Sequence, residues 1–571
     1  MKSRTKISIK DAFGWFFIGI SVLMLGKSIA LCFSHDIWYD ELFTVGMIEH
    51  SYGELIRFTA ADVHPPLYYC VTKLFADLCK LIIPGAVTVI PAKLASVLPY
   101  FILLLYSVTW IRKRFGIFTG GMFLFCAIAM PQMPAYTVEV RMYGWALLFV
   151  TAAFLHAYGC VTAPLSCADG RIEEERGRFV HGMALVIYGL AAAYTQYFAC
   201  VAVVMVYLYV LIAFWCRDKR RIREWCLYVM VSVVGYIPWL FALTGQISAV
   251  SENYWILPLT WRSLGGCVKF LLKPAFQKET WNVILAVVLF VLYAEVVGDS
   301  LFRYVRYCRR IKNENKNPGF ISNMEKLYHN GRVIHAIAAL GVLAGVVLFG
   351  FAASILIRPV FVYRYMIPAM GCFWLCFVIC LDGLLCKLDI TLLLQKERGK
   401  TEKGKGNRYL PLIKKGLFLV VIMFLIIGLR DYRAFLGEEE YKIKLMKDTE
   451  AALSQIGPED IVIYNFDQVQ AVTSYYLEDG TERYLWNGEA EKLIQEIIGP
   501  CKTVETVETI RAWLEDSNDQ AQRTDRKVWF IGSFNSREDI VAQWREDGLT
   551  VEEKGSYLLE RYWFNLYEIS L

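Results

Sequence analysis

The sequence predicts a polytopic α-helical membrane protein with a small α/β domain at its carboxyl end. Of the 571 residues, 56% are hydrophobic and 20% are charged, whereas a soluble protein carries about 45–50% apolar and about 25% charged residues. The apolar residues form long runs, and Lys and Arg gather in short runs between them. This distribution excludes an ordinary soluble enzyme, and no nucleic-acid partner is expected.

The first element is an apolar segment that follows a basic start, in residues 1–33. The apolar region is longer than that of a signal peptide, and no small-residue cleavage site closes it. We therefore expect an uncleaved first span with the N-terminus in the cytoplasm, so that Ser34 begins outside the cell membrane.

Four basic runs orient the remaining spans, because Lys and Arg are enriched in cytoplasmic loops. These are 112-RKRF-115, 217-RDKRRIR-223 and the stretches 303–316 and 387–415. An even number of spans must separate successive cytoplasmic runs, and the apolar segments satisfy this rule. With the first span they give about eleven transmembrane helices, the others lying near 93–111, 116–132, 142–160, 181–195, 198–215, 225–243, 281–298, 333–357, 365–386 and 416–430.

The first external loop, residues 34–92, contains one apolar stretch that the parity rule leaves without a crossing. In 66–83, Lys73, Asp77 and Lys80 recur at helical spacing and give one polar face on an otherwise apolar helix. This pattern is typical of a helix that lies in the membrane interface. We predict an interfacial helix at 66–83, with a spanning helix as the alternative.

The composition changes after Arg430, which predicts a transmembrane domain in 1–430 and an extracytoplasmic domain in 431–571. β-like runs at 460–466, 527–534 and 562–569 are separated by helical stretches, among them 489–498 and 508–516. Strands that alternate with helices indicate an α/β domain. A Lys/Gly-rich segment of low complexity, 396–408, falls on the cytoplasmic side.

Acidic residues and a histidine follow the first span, in 36-DIWYDELFT-44 and 62-DVHPPLYY-69. Asp40 and Glu41 are flanked by aromatic and aliphatic residues, and burial in such surroundings makes a carboxylate more basic, which suits a general base. The alternative is a solvated acidic pair, and His64 is equally well explained as a structural residue. Loops on a rigid scaffold are where functional residues concentrate.

Arginines lie at the outer ends of two further spans, although Lys and Arg are normally enriched on the cytoplasmic side. Arg141 and Arg364 are each followed by a tyrosine, Tyr143 and Tyr365. Arginine holds phosphate with bidentate hydrogen bonds, although it can also snorkel to lipid headgroups. Lys93 begins the second span and is a third candidate for phosphate binding or a plain interface anchor.

The order of these motifs resembles that of the GT-C superfamily of membrane glycosyltransferases. WYDE, DVHPPLYY, E-x-R-M-Y and R-Y-x-x-P-A follow one another within 1–430. They are most similar to the bacterial branch related to protein O-mannosyltransferases and aminoarabinose transferases, which is glycosyltransferase family 39-like. The external C-terminal domain is not covered by the resemblance.

The resemblance implies a GT-C fold and assigns roles by position. Asp40 matches the family's acceptor-activating aspartate and Glu41 its usual neighbour, while His64 matches the histidine that opens the interfacial helix. Lys93 falls where the family commonly has arginine. Lysine keeps the positive charge but lacks the planar guanidinium that donates two parallel hydrogen bonds to a phosphate. The remaining substrate-binding candidates are Glu139, Arg141, Tyr143, Arg364 and Tyr365.

The implied reaction is an inverting transfer of a sugar from a polyprenyl-phosphate donor to an acceptor hydroxyl at the outer face of the membrane. The acceptor is a protein, a lipid or a glycan. No cofactor is expected. A metal would need a second acidic ligand, for which Glu139 is the one candidate, so we predict no metal while metal dependence stays open. Two alternatives remain: a transporter or flippase of lipid-linked sugars, and a non-catalytic protein of envelope-glycan assembly.

Overall fold

The computed structural model describes residues 8–162, 171–249, 256, 258–276, 278–313, 332–401, 410–518 and 526–571. Their contacts form two units, each considered by itself. The membrane unit is Met1–Ser28, Ser96–Val138 and Met142–Phe435, and the loop–sheet unit is Ile29–Ala95, Glu139–Arg141 and Leu436–Leu571.

Apolar helices dominate the chain. Among the described residues, nine helical segments are long and apolar enough to cross a membrane. Two shorter apolar helices, Ile117–Ala129 and Gly177–Ala193, lie where further spans are predicted, so the count of eleven stays a prediction. The protein is thus a multi-pass membrane protein. The helices are Ile9–Leu31, Val89–Tyr106, Ile117–Ala129, Tyr143–Thr162, Arg171–Ala193, Tyr197–Arg217, Ile222–Ala249, Glu279–Asn313, Arg332–Leu356, Ile367–Thr401 and Leu410–Leu453.

Glycines permit close helix packing in the membrane unit. A Cβ atom on Gly121 would collide with the carbonyl oxygen of Gly14, and one on Gly120 with that of Ser107. Ser107 lies in the π-helical turn Ser107–Ile111, which follows a helix that contains Pro99. Small residues allow helix backbones to approach closely where lipid provides no hydrophobic driving force.

Three helices fill the first loop of the loop–sheet unit: Tyr39–Met47, Tyr52–Ala61 and Leu67–Ile82. The second begins with a capping box in which the Ser51 hydroxyl accepts from the Glu54 amide. The third is the helix predicted at 66–83, and it exposes a row of apolar side chains. That row comprises Leu74, Leu78, Leu81 and Ile82.

The rest of the loop–sheet unit contains a six-stranded sheet. The strands are β1 (Ile461–Tyr464), β2 (Glu482–Trp486), β3 (Lys502–Val504), β4 (Val528–Gly532), β5 (Thr550–Leu559) and β6 (Tyr562–Ser570), in the order β3-β2-β1-β4-β6-β5. The first four positions in this order are parallel, and β6 and β5 add an antiparallel hairpin. This confirms the predicted α/β class of the C-terminal region.

Apolar residues determine which strands are central. All four residues of β1 and all five of β4 are buried, as expected for parallel strands covered on both faces. Phe530 and Trp544 belong to the core beneath them. The helices of this region are Asp467–Ser474, Lys492–Ile498, Val507–Asn518 and Ser536–Glu546.

Some predictions fall partly outside the described residues. Residues 314–316 of the third basic run and 402–409 within the fourth, which include most of the low-complexity segment, lie outside them, as do the first seven residues of the predicted first span. The predicted division of the chain at residues 430 and 431 falls inside the helix Leu410–Leu453 and stays a prediction.

Candidate active site

Asp40 lies in the first turn of the helix Tyr39–Met47, where a carboxylate interacts favourably with the helix dipole. Its side chain is 22% exposed. The guanidinium of Arg141 contacts Asp40 twice: Nη1 donates to the main-chain oxygen at 2.9 Å, and Nη2 lies 3.7 Å from a carboxylate oxygen. Arg141 is almost fully buried. The arginine therefore holds both the backbone and the side chain of Asp40.

Glu41, the next residue, is buried and faces a different set of partners. One carboxyl oxygen accepts from the Val140 amide at 2.7 Å, and the other from the Trp38 amide at 3.2 Å. Burial raises the pKa of Glu41 to about 8, although the charge of Lys93 opposes the shift. Glu41 thus ties the segment Glu139–Arg141 to the start of the helix that carries Asp40.

His64 joins the same cluster through both ring nitrogens. Nδ1 lies 2.8 Å from a carboxyl oxygen of Asp62, and Nε2 lies 3.4 Å from Nη2 of Arg141. Because arginine can only donate, this geometry assigns the proton to Nδ1, which donates to Asp62. Burial alone would raise the pKa of Asp62, but the interaction with His64 outweighs it and lowers the pKa.

Lys93 is paired within the chain. Its Nζ donates to the Ser34 hydroxyl at 2.7 Å and to the Asp36 carboxylate at 3.0 Å, and both charged groups are buried. Burial disfavours the Asp36 carboxylate, yet the attraction to Lys93 lowers its pKa below the ordinary value. This arrangement makes Lys93 part of a buried ion pair, for which loss of one partner typically costs about 3–5 kcal/mol.

The other predicted residues are divided between the two units. Glu139 is half-buried in the loop–sheet unit, beside Val140. In the membrane unit, Tyr143 is buried at the start of its helix, and Arg364 and Tyr365 are half-buried in a short 3-10 turn, Tyr363–Met366. The Tyr365 ring stacks on Phe198 with 4.7 Å between centroids, which holds that turn.

The structure brings together Asp40, Glu41, His64, Glu139 and Arg141 in one unit and adds Asp62, whose role the sequence left unassigned. The position of Asp62 could have indicated its contact with His64, because side chains two residues apart in a turn can form a hydrogen bond. Asp36, the partner of Lys93, carried no such signal because 57 residues separate the two. Within the described part of the chain, no three His, Cys, Asp or Glu side chains are grouped as a metal site would require.

Apolar helices, an amphipathic helix in the first loop and a C-terminal α/β region together define a polytopic membrane protein, and comparison with solved structures identifies its fold as GT-C. Two solved structures share it over their whole length, both of ArnT from Cupriavidus metallidurans. The apo structure has a TM-score of 0.56 at 12% identity, and the structure bound to undecaprenyl phosphate 0.53 at 13%, each covering 98% of both chains. The predicted GT-C fold is confirmed.

No protein-family model matches the sequence, and no curated protein matches it either.

Proposed function

We propose that this protein is a membrane glycosyltransferase that moves a sugar from a polyprenyl-phosphate donor to an acceptor hydroxyl, with Asp40 as general base. The observation that carries the proposal is the placement of Asp40: a partly exposed carboxylate whose backbone and side chain are both contacted by buried Arg141. A general base needs this kind of fixed orientation toward the proton that it removes.

The reaction proposed is a single displacement at the anomeric carbon. As the acceptor oxygen forms its bond to that carbon, its proton passes to the Asp40 carboxylate. The bond from the anomeric carbon to the phosphate oxygen breaks, and polyprenyl phosphate leaves with the electron pair. Inversion of the anomeric configuration follows from attack opposite the leaving group.

Two groups of residues support this step in different ways. Arg141 orients Asp40 through the contacts described above, His64 contacts Arg141, and Glu41 holds the segment that carries Arg141. Arg364 is proposed to stabilise the charge that grows on the leaving phosphate, with Tyr143, Tyr365 and Glu139 around the substrate. Positive groups aimed at developing charge are among the strongest contributors to catalysis. Lys93, engaged with Asp36, supports the loop.

The donor class is proposed from the fold and from the membrane setting. One GT-C neighbour was crystallised with undecaprenyl phosphate, and a polyprenyl tail is soluble only in a bilayer. We place the reaction at the extracytoplasmic face, because the parity of the basic runs puts the first loop there. The acceptor is a protein, lipid or glycan hydroxyl.

Asp40→Asn tests the proposal directly. The amide keeps the size of the side chain but cannot take a proton, so transfer of labelled sugar from a polyprenyl-phosphate donor should fall by about 100-fold or more in purified membranes. Asp77→Asn, an acid on the helix Leu67–Ile82 of the same loop, is the matched control and should retain activity.

Equal transfer by wild type and Asp40→Asn would remove Asp40 as the base. If wild-type membranes move the lipid-linked sugar across the bilayer without forming a glycosidic bond, the transporter alternative replaces the enzyme.

A further inference from the structure

The turn between β5 and β6 reaches the helix that carries Asp40. It consists of Glu560 and Arg561, and both belong to the loop–sheet unit together with Trp38 and Asp40. We propose that Arg561 is a positioning residue, which holds the start of the Asp40 helix from the side of the C-terminal sheet. This inference rests on the proposed function, since it assigns a part in the same reaction to a residue about 520 positions away.

Arg561 stacks on the residue two positions before Asp40. Its guanidinium carbon lies 3.7 Å from the centroid of the Trp38 ring, well within the distance of about 6 Å for a cation–π interaction. Trp38 is 9% exposed and precedes the first turn of the helix, with its amide bonded to Glu41. A shift of the indole would therefore move the backbone that leads directly into Asp40.

Glu560 fixes the turn from which Arg561 projects. Its φ of +53° lies in the left-handed region, which non-glycine residues seldom occupy. Its carboxylate is held by Lys442 at 2.9 Å, and Lys442 also pairs with Glu439 at 2.7 Å. A positive φ is common in two-residue hairpin turns, and the ion pair with Lys442 further restrains this one.

A second contact from the C-terminal region reaches the residue immediately before Asp40. The Tyr39 hydroxyl donates to the Glu491 carboxylate at 2.7 Å. Trp38 and Tyr39 are thus both held by the C-terminal region, while Asp40 itself is held by Arg141. The three contacts restrain the carboxylate from different parts of the chain, which is what orientation of a general base requires.

The test compares Arg561→Ala with Arg561→Lys, and uses Arg511→Ala as the matched control. Arg511 lies on the helix Val507–Asn518 and bonds to the Asp547 carbonyl, away from Trp38. We expect Arg561→Ala to lower kcat about 3- to 30-fold with little change in the donor KM, the range that a lost cation–π contact implies. Arg561→Lys keeps a cation over the ring and should recover most of the loss, and Arg511→Ala should behave as wild type.

Hydrogen exchange of the peptide that covers 37–43 is measured on the same full-length variants without substrate. Faster exchange in Arg561→Ala than in Arg561→Lys supports positioning, and unchanged exchange overturns it whatever happens to kcat. A fall in kcat that Arg511→Ala reproduces also overturns it, because that pattern signals general loss of the sheet. Should wild type transfer no sugar, the proposed function fails, and the exchange data still decide the role of Arg561.

Discussion

Asp40 and Glu41 are neighbours in sequence with opposite surroundings. Asp40 is partly exposed beside an arginine, whereas Glu41 is enclosed and accepts two main-chain hydrogen bonds. Successive residues on a helix point about 100° apart, so one side chain can face the site while the next faces the protein. The pair therefore separates into one residue suited to proton transfer and one suited to holding the loop.

The buried carboxyl of Glu41 predicts a pH dependence of stability. Its pKa rises from an ordinary 4.5 to about 8 because of burial, with Lys93 opposing. Between these values the unfolded chain has lost the proton that the folded chain keeps, so the free energy of unfolding falls as pH rises from about 5 to 8, by at most about 1.4 kcal/mol per pH unit. Thermal unfolding of wild type should show this slope, and Glu41→Gln should flatten it.

Glu54→Gln provides the control, since Glu54 is an exposed carboxyl at a helix start in the same loop. The stability of Glu54→Gln toward thermal unfolding should vary with pH as that of wild type does over the same range. A Glu41→Gln profile as steep as that of wild type would mean that another group causes the slope.

Arg364 predicts a kinetic effect. If it meets the leaving phosphate, Arg364→Ala should cut turnover by roughly 100-fold or more, as loss of one transition-state donor costs about 3–4 kcal/mol. Arg358→Ala, six residues earlier in the same segment, controls for changes in local packing. Turnover is measured with saturating labelled donor, and a value close to that of wild type would take Arg364 out of the site.

The proximity of the candidate residues was only partly predictable, and their roles stay predictions. The motif order indicated Asp40, His64 and Arg141, which lie together. It also suggested phosphate binding by Lys93, which the structure pairs with Asp36 and Ser34. Side-chain pairing between distant residues depends on tertiary geometry, and no local pattern in 91-PAKLA-95 indicates an acidic partner.

At the level of elements, prediction was most accurate where the signal is local and long. Most apolar runs of span length gave helices close to the predicted bounds, such as Val89–Phe115 for 93–111. The last run, 416–430, instead lies within the much longer helix Leu410–Leu453. β1, β4 and β6 were expected as strands from their apolar runs. β2, β3 and β5 were not predicted. β3 has only three residues, which is too short for a clear pattern. In β5 buried and exposed residues do not alternate regularly, and a bulge lies between Glu553 and Gly555.

The exposed apolar side chains of the helix Leu67–Ile82 allow its depth in the bilayer to be predicted. Lys73 is buried against Ile48 and Asp77, whereas Leu74, Leu78 and Leu81 are exposed. An amphipathic helix with this arrangement lies in the interface with its apolar row toward the acyl chains. Spin labels at 74, 78 and 81, with the exposed native cysteines replaced, should report one shallow depth common to all three.

A spanning helix would give a different pattern. Seven residues rise about 10 Å along a helix axis, so labels at 74 and 81 would differ in depth by most of that distance. Such a gradient would contradict the interfacial assignment.

At the scale of the whole molecule, the order of a few motifs predicted the GT-C fold, although the solved neighbours are only 12% and 13% identical. What could not be predicted is that the first loop and the C-terminal sheet belong to one unit. Contacts such as Tyr39 with Glu491 span 452 residues, and nothing in either segment alone specifies the other. The resemblance ended near residue 430, so it too gave no role to the C-terminal region.

Membrane topology provides the last prediction. Eleven spans are an odd number, so the two ends of the chain should lie on opposite sides, with the basic runs inside and the sheet outside. Lys219→Cys and Glu515→Cys, each in a background with Cys167, Cys216, Cys226 and Cys308 replaced by serine, place exposed thiols in a basic run and in the C-terminal region. In intact cells a membrane-impermeant maleimide should label position 515 and should label position 219 only after permeabilisation.

The result also bears on the helix Leu67–Ile82, because a twelfth crossing would change the parity. If that helix spanned the membrane with the N-terminus still inside, the basic runs that follow it would move outside and the C-terminal sheet would move inside. Labelling at 219 in intact cells with protection at 515 would therefore contradict both the predicted topology and the interfacial helix. In that case Asp40 would lie on the opposite side of the membrane from the C-terminal sheet, which contacts its helix. The Tyr39–Glu491 bond and the Trp38–Arg561 stacking require the first loop and the C-terminal sheet to lie on one side, so these contacts favour an odd number of crossings.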